Sequence, residues 1–439
     1  MNVEVQKYNR RNIMKHKYHQ NPKVSVIVPV YKVDKYLTEC LNSIVNQTME
    51  EIEIIIIDEG DHDRCREIID FFAQNDPRIV APHQKNGGYG ASCNLGIQMA
   101  RGEYLAIVES DDYIEPEMYE EMYDYAKALD ADVVKTPYSE CFSNGEKRDC
   151  SYRRWVTSTC PQNMCFSVEQ FNALLAVHAS LWSGIYRTSY MKDKNIGFIK
   201  AKGGAYVDVG FRIDTLINTE KIAWLDKPFY NYRIDSEGST TNNFRIDPML
   251  DRWAEVHSHL NFNGQDNYNK FYGNALIIDE YLNTIGWLDL IDVSDAELNK
   301  MSQIYENISE NLVNNSNVLN SHQKNNILQF KKNPQSYYRQ KRRLRRIKKL
   351  LHQCSSLIQW LSAFAVQRWF VYGTIAFSLL TIMFIISPLL MSEDARHICG
   401  TFTMFSGIIC GGAVVLNMLI KAVYSSLKHI YFKVNQKKL

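Results

Sequence analysis

The chain has 439 residues, 45% of them hydrophobic, and a formal net charge of +1. That length sets an expectation of two or three structural units with a sizeable core. No nucleic-acid partner is expected.

The charge is unevenly placed. Residues 331–350 hold ten Lys or Arg and no acid, and residues 421–439 hold five Lys and no acid. Such asymmetry points to an anionic surface, here anionic membrane lipids. Ten cysteines are scattered without a Cys-x-x-Cys pair, as expected of free thiols in a reducing compartment. The first twenty residues are polar and basic, so no secretory signal is expected.

After a polar extension, residues 1–22, the pattern alternates. KVSVIVPVY (23–31) is a β-branched run, and Asp34–Asn46 has helical spacing with Asp34 as a candidate N-cap. EIEIIIIDEG (51–60) is an apolar strand ending in acids, followed by a helix over His62–Gln74 and a short strand over Arg78–Gln84. Gly90–Arg101 is helical, Glu103–Glu109 a strand, Glu115–Leu129 a helix and ADVVKTP (131–137) a strand. Near-continuous apolar strands alternating with helices predict an α/β fold, a mostly parallel sheet covered on both faces. Asp208–Thr219 reads as a helix, IAWLDKPFYNYRI (222–234) as strand-like, and residues 246–330 as a helical, Asn-rich extension.

Residues 331–368 form a basic segment before two uncharged stretches, residues 369–392 and 398–420. Each exceeds the roughly 20 residues a membrane-spanning helix needs. EDARH (393–397) would turn between them. Lys and Arg crowd the other ends, so the positive-inside rule places the first 350 residues and the 421–439 tail in the cytoplasm. The expectation is a two-span protein of the plasma membrane.

Ligands of parallel sheets bind beyond the carboxyl ends of the strands. Tyr31, Asp58-Glu59 and Glu109-Ser110-Asp111-Asp112 fall there. Carboxylates ending two strands of one sheet suit Mg2+ or Mn2+, which usually also bind substrate phosphates. The competing reading makes Ser110 or Asp111 a cap for the helix starting near Pro116.

The stretches VSVIVPVYKVDKYLTECLNSIVNQT (24–48), IIIIDEGDHD (54–63) and KNGGYGASCNLGIQMARGEYLAIVESDDYIEP (85–116) resemble, in order and spacing, the nucleotide-sugar domain of family 2 glycosyltransferases. The resemblance covers residues 23–245 and implies the GT-A fold and a nucleotide-diphosphate sugar donor. It implies that Pro29, Val30 and Tyr31 line a uracil pocket and that Asp58 accepts from the base edge. Asn86 and Gly87 would turn near the phosphates, with Glu109 beside the donor. Asp111 and Asp112 would hold the metal and the ribose. GGAYVDVGFRIDTLI (203–217) makes Asp208 the general base of an inverting displacement, with Asp214 the rival. HASLWSGIYR (178–187) offers Trp182 to an acceptor sugar, or to the core. NYRIDSEGSTT (231–241) offers Arg233 to the diphosphate. Glu109, Val207, Cys93 and Asp235 depart from the residues common in the family.

The reading is a membrane-anchored, inverting glycosyltransferase acting on a lipid-linked saccharide or glycolipid in surface polysaccharide synthesis. A polyprenyl-phosphate glycosyltransferase and a non-catalytic sugar-nucleotide scaffold are the alternatives. A processive synthase is set aside, because Gln367 stands directly beside Arg368-Trp369 instead of three residues before Arg.

Overall fold

The computed structural model describes residues 21–60, 64–84, 87–175, 177–199, 207–235, 249–251, 285–286, 288, 291–306, 308–316, 319–346 and 349. The chain divides into two compact units: Met1–Trp287 with Val293–Pro334, and Leu288–Asp292 with Gln335–Leu439.

Strand β1 (Val24–Val30) and strand β2 (Ile52–Asp58) are buried at every position and pair in parallel, Val24 with Ile52 through Val30 with Asp58. Side chains alternate between the two faces of a strand, so an unbroken apolar run forms only where both faces are covered. The exceptions in these strands are partnered. Ser25 Oγ donates to Glu53 Oε1 at 2.5 Å, and Arg101 binds Glu53 through its backbone N–H and guanidinium.

Beside β1 and β2 lie β3 (Ile79–Val80), β4 (Tyr104–Ile107), β6 (Val133–Lys135), β9 (Gly184–Arg187) and β10 (Ile222–Trp224). The seven-stranded order is β10-β6-β9-β4-β1-β2-β3, and β9 alone runs against its neighbours β4 and β6. Strand order reverses at β1, with β2 on one side and β4 on the other. The last β1–β4 pair is Ile27 with Ile107, and Pro29 lies just beyond it. Its missing N–H therefore falls where the two strands have parted. That parting opens a crevice at the switch point, where open α/β sheets bind ligands.

Helices α1 (Asp34–Val45), α2 (Arg64–Asn75), α3 (Tyr89–Met99) and α4 (Met118–Leu129) connect these strands, and α5 (Arg153–Thr159), α6 (Thr188–Asp193) and α7 (Val207–Ile217) follow. Helix α3 lies on β1 and β2. A Cβ at Gly96 would stand 2.3 Å from Ile27 Cγ2, so glycine sets that close approach. Asp34 is not a cap: Val33 holds that position, and Asp34 is the first helical residue. Ser110 and Asp111 do not cap α4 either, because it starts at Met118 after Glu117.

A second sheet of four strands was not foreseen. Its order is β5 (Tyr113–Ile114), β11 (Tyr230–Arg233), β7 (Tyr138–Cys141) and β8 (Lys147–Asp149). Three segments run from the large sheet into the small one: β4 to β5, β6 to β7 and β10 to β11. The acidic stretch Glu109–Asp112 is the first of these crossings. Residues 222–234, expected as one strand, are thus two strands in two sheets.

Helices α8 (Asp295–Glu306), α9 (Glu310–Asn315) and α10 (Ser321–Lys332) belong to the first unit, so no unit boundary falls at residue 245. In the second unit, residues 335–346 of the basic segment are helical, and Asp292 draws in Arg345 (2.8 Å) and Arg342 (3.3 Å). Among the described residues no helix is long and apolar enough to cross a membrane. The expected spans, residues 369–392 and 398–420, lie outside the described residues, as does the 421–439 tail.

Candidate active site

At the end of β1 the side chains of Pro29 and Val30 are buried, and the Val30 carbonyl accepts from the Glu59 N–H at 3.0 Å. Tyr31 is the exposed member of the trio, at 48%, with its ring open to a ligand. Asp58 ends β2 fully buried. Its oxygens accept from the Gly60 N–H (2.9 Å) and Arg66 Nε (3.0 Å) and meet His83 Nδ1 (2.7 Å). Burial pushes this carboxyl up, but these three partners outweigh it and hold the group below its ordinary range. The residue expected to read a base edge is therefore engaged within the protein.

Glu59 draws the turn before α3 inward. Its Oε1 accepts from Ser92 Oγ (2.5 Å) and the Gly87 N–H (3.2 Å). Gly87 is thereby tied to the end of β2 through Glu59. Asn86 lies outside the described residues.

Beyond β4 the acids gather. Glu109 is half-buried, and Tyr89 Oη donates to its Oε1 at 2.5 Å. Burial raises Glu109 to about 8; the tyrosine opposes this, while the charges of Asp111 and Asp208 add to it. Asp208, more than 95 residues downstream on α7, is thus near enough for its charge to act on Glu109. It lies inside Val207–Ile217, half-buried, and is not the cap of that helix. Asp214, the rival, lies further along the same helix, and its carbonyl accepts from Tyr190 Oη at 3.4 Å.

Asp111 and Asp112 differ. Asp112 is 1% exposed, and both its oxygens are taken, by the Arg233 N–H (2.8 Å) and Tyr230 Oη (2.9 Å). Burial, then repulsion from Asp111, pushes its carboxyl up against those two donors. It ties the acidic crossing to β11, which corrects its assignment as a metal ligand. Asp111 is half-buried, with the Arg233 guanidinium on its carbonyl at 2.8 Å. Arg233 also pairs with Glu39 and lies over the rings of Tyr36 and Tyr113.

Trp182 is corrected outright. It is 4% exposed and stacked on Tyr230 (4.2 Å) and Tyr232 (5.2 Å), so no face is open to an acceptor sugar.

Sequence reasoning missed Tyr89 and Tyr230, whose hydroxyls hold Glu109 and Asp112 in place. The only signal was position: Tyr89 opens the helix after the glycine turn, and Tyr230 precedes the segment singled out for Arg233. Among the described residues no three acids, histidines or cysteines form a ready metal cluster. The donor set at Asp111 and Glu109 is nonetheless all oxygen, and the mutual repulsion of the carboxylates fits a bound divalent cation.

An α/β sheet with one reversed strand, a small second sheet and acids at the switch point is a GT-A-like fold. Comparison narrows the class: residues 25–177 match the family model for glycosyl transferase family 2. The uncharacterized glycosyltransferase EpsJ of Bacillus subtilis (strain 168) is 29% identical over 268 residues, which cover 60% of this chain and 74% of EpsJ. Glycosyltransferase GlyG of Streptococcus pneumoniae serotype 4 is 38% identical over 160 residues, covering 36% of this chain and 51% of GlyG. The chain thus spans about half of GlyG. The structure of S. aureus TarS 1–349 with UDP-GlcNAc superposes with a TM-score of 0.58 at 20% identity, covering 73% of this chain and 88% of that one. At that identity the likeness shows the fold. These findings show a domain similar to glycosyl transferase family 2 over residues 25–177 on a GT-A-like fold.

Proposed function

We propose that this chain transfers a sugar, with inversion, from a uridine-diphosphate donor to a saccharide hydroxyl. One observation carries the reading: acids gather beyond the carboxyl ends of β2 and β4, on either side of the strand where the sheet order reverses, and the charge of Asp208 reaches Glu109 among them. UDP-GlcNAc in the TarS structure supports the donor class. Tyr31 would stack on the base, Gly87 would approach the diphosphate, and Arg233 would lie against its charge.

Asp111, with Glu109, would hold a Mn2+ or Mg2+ ion. When bound, that ion neutralises charge on the departing diphosphate. Asp208 would take the proton of the acceptor hydroxyl as its oxygen bonds the anomeric carbon and the bond to the diphosphate breaks. A single displacement inverts that carbon.

We further propose that residues 369–392 and 398–420 anchor the chain in the plasma membrane, with the catalytic unit on the cytoplasmic side facing a lipid-linked or glycolipid acceptor. Their lack of charge and the flanking Lys and Arg support this.

The test is a donor screen on the full chain in detergent with Mn2+, followed by NMR of the product anomer. Turnover of a UDP-sugar with inversion is expected. Retention, or no turnover of any nucleotide sugar, sinks the proposal. Transfer to polyprenyl phosphate alone would replace the hydroxyl acceptor.

A further inference from the structure

The loop before β9 is built around a single side chain. Ser180 has φ +32°, a backbone state that residues with a Cβ rarely adopt. Its N–H donates to His178 Nδ1 at 3.0 Å, and its Oγ to the His178 carbonyl at 3.3 Å. Two buried cations clamp the loop. Lys135 Nζ, at the end of β6, donates to the Ser180 carbonyl at 2.5 Å. Arg212 donates to the Val177 carbonyl at 2.7 Å, and it lies one helical turn after Asp208 on the same helix.

This turn fixes the state of His178. A neutral imidazole that accepts at Nδ1 carries its hydrogen on Nε2. Crowding by protein lowers its pKa; Asp208 opposes that, and Arg212 and Lys135 reinforce it. The residue is nonetheless exposed, with ring centres 6.0 Å from Tyr138 and 6.2 Å from half-buried Tyr232. Among the described residues none accepts from Nε2. An open N–H donor beside the half-buried Tyr232 ring, on a loop clamped by Arg212 from the helix of Asp208, matches a saccharide, which offers a C–H face to a ring and hydroxyls to donors. A neutral ring does little for a phosphate.

We propose that His178 binds the acceptor, its Nε2–H donating to a hydroxyl of the acceptor saccharide and so presenting the sugar to Asp208. This rests on the proposed role of Asp208 as the acceptor-side base.

The test uses the full chain with UDP and Mn2+ and a panel of p-nitrophenyl monosaccharides: β-glucoside, β-galactoside, α-mannoside and N-acetyl-β-glucosaminide. Ligand-observed NMR gives sugar affinity, and calorimetry gives UDP affinity. His178→Asn keeps an acceptor for the Ser180 N–H but loses the outer donor, so the turn should survive. It should weaken sugar binding about fivefold or more, one hydrogen bond's worth, with UDP affinity unchanged. His178→Gln, whose amide reaches the Nε2 position, should recover part of the loss. Wild-type sugar affinity in His178→Asn, an equal loss of UDP affinity, or no sugar bound by the wild type overturns the inference. Asp208→Asn separates the two readings. If it turns over normally while the His178 variants lose sugar, the base assignment falls and the His178 assignment stands.

Discussion

Asp208 and Asp111 have proposed chemical tasks, base and metal ligand, whereas Asp112 is bonded within the fold, so their substitutions should part company. A hydroxyl is a poor nucleophile near neutral pH, and a positioned base contributes about 10²- to 10⁴-fold. Asp208→Asn should reduce turnover by about that factor while UDP affinity by calorimetry stays the same; loss of UDP binding would move Asp208 into the nucleotide site. Asp111→Asn should lose most of the metal-dependent turnover at unchanged stability. Asp112→Ala should unfold more easily, because it orphans the Arg233 N–H and Tyr230 Oη, at about 1–3 kcal/mol for each buried group left unpaired. Equal denaturant midpoints for the two variants would refute that division. Lys135 tests burial at the same scale. Burial, then repulsion from Arg212, lowers it to about 7, against about 10.4 in an unfolded chain. Between those values the unfolded chain holds a proton that the folded one has released, so stability rises from about pH 7 to about pH 10. Lys135→Met should flatten that slope in urea titrations; an unaltered slope would assign it to other groups. Of this site, Asp58, Glu109 and Asp111 were legible because a carboxylate ending an apolar strand has no local reason to be there. Trp182 was not, because its stacking partners Tyr230 and Tyr232 lie some fifty residues further along the chain.

Elements were legible in proportion to their burial. Strands β1 and β2 announce themselves because both faces are covered and polar residues are excluded, save where Ser25, Glu53 and Arg101 satisfy one another. The small sheet left no such trace. Its strands have two to four residues, and their pairs, Tyr230 with Ile114 and Tyr230 with Tyr138, join distant segments. Periodicity cannot report a ladder that short. The turn into β3 shows how such local structure is held instead. Arg78 is buried, bonded to Asp76 through Nε and NH2 and to the Val45 carbonyl at the end of α1 (2.7 Å). Asp76 and Arg78 are 4% and 0% exposed at the side chain, so neither charge has water as an alternative. Asp76→Ala would leave a buried guanidinium without its counter-charge, a change that typically costs about 3–5 kcal/mol. The guanidine midpoint should fall accordingly, and Asp76→Ala/Arg78→Met should recover part of the loss. If the double variant is no more stable than the single, the pair is not coupled.

At the scale of the whole chain, residues 331–350 form a basic segment of twenty residues with no acid. In that segment Arg345 and Arg342 turn to Asp292, while Arg343, Arg346 and Lys349 remain exposed. Exposed cations near an anionic leaflet are each favoured by about 1 kcal/mol, and under the proposed topology they would keep the flanking chain on the cytoplasmic side. The proposed topology rests on the sequence. Residues 369–392 and 398–420 carry no charge, and the link between them has only EDARH to leave in water. Moving Lys and Arg of both flanks across the membrane would be far costlier than moving that link. With Cys399 replaced by Ser, Asp394→Cys should react with an impermeant maleimide applied to intact cells, and Ile430→Cys should react only after the membrane is opened. The catalytic unit should resist external protease in the same cells. Labelling at 430 but not at 394 from outside would invert the orientation and separate the crevice from the cytoplasmic pool of nucleotide sugars. Labelling at neither position, with the protein released by carbonate washing, would mean that the two stretches pack within the protein and that the basic segment alone holds it at the surface.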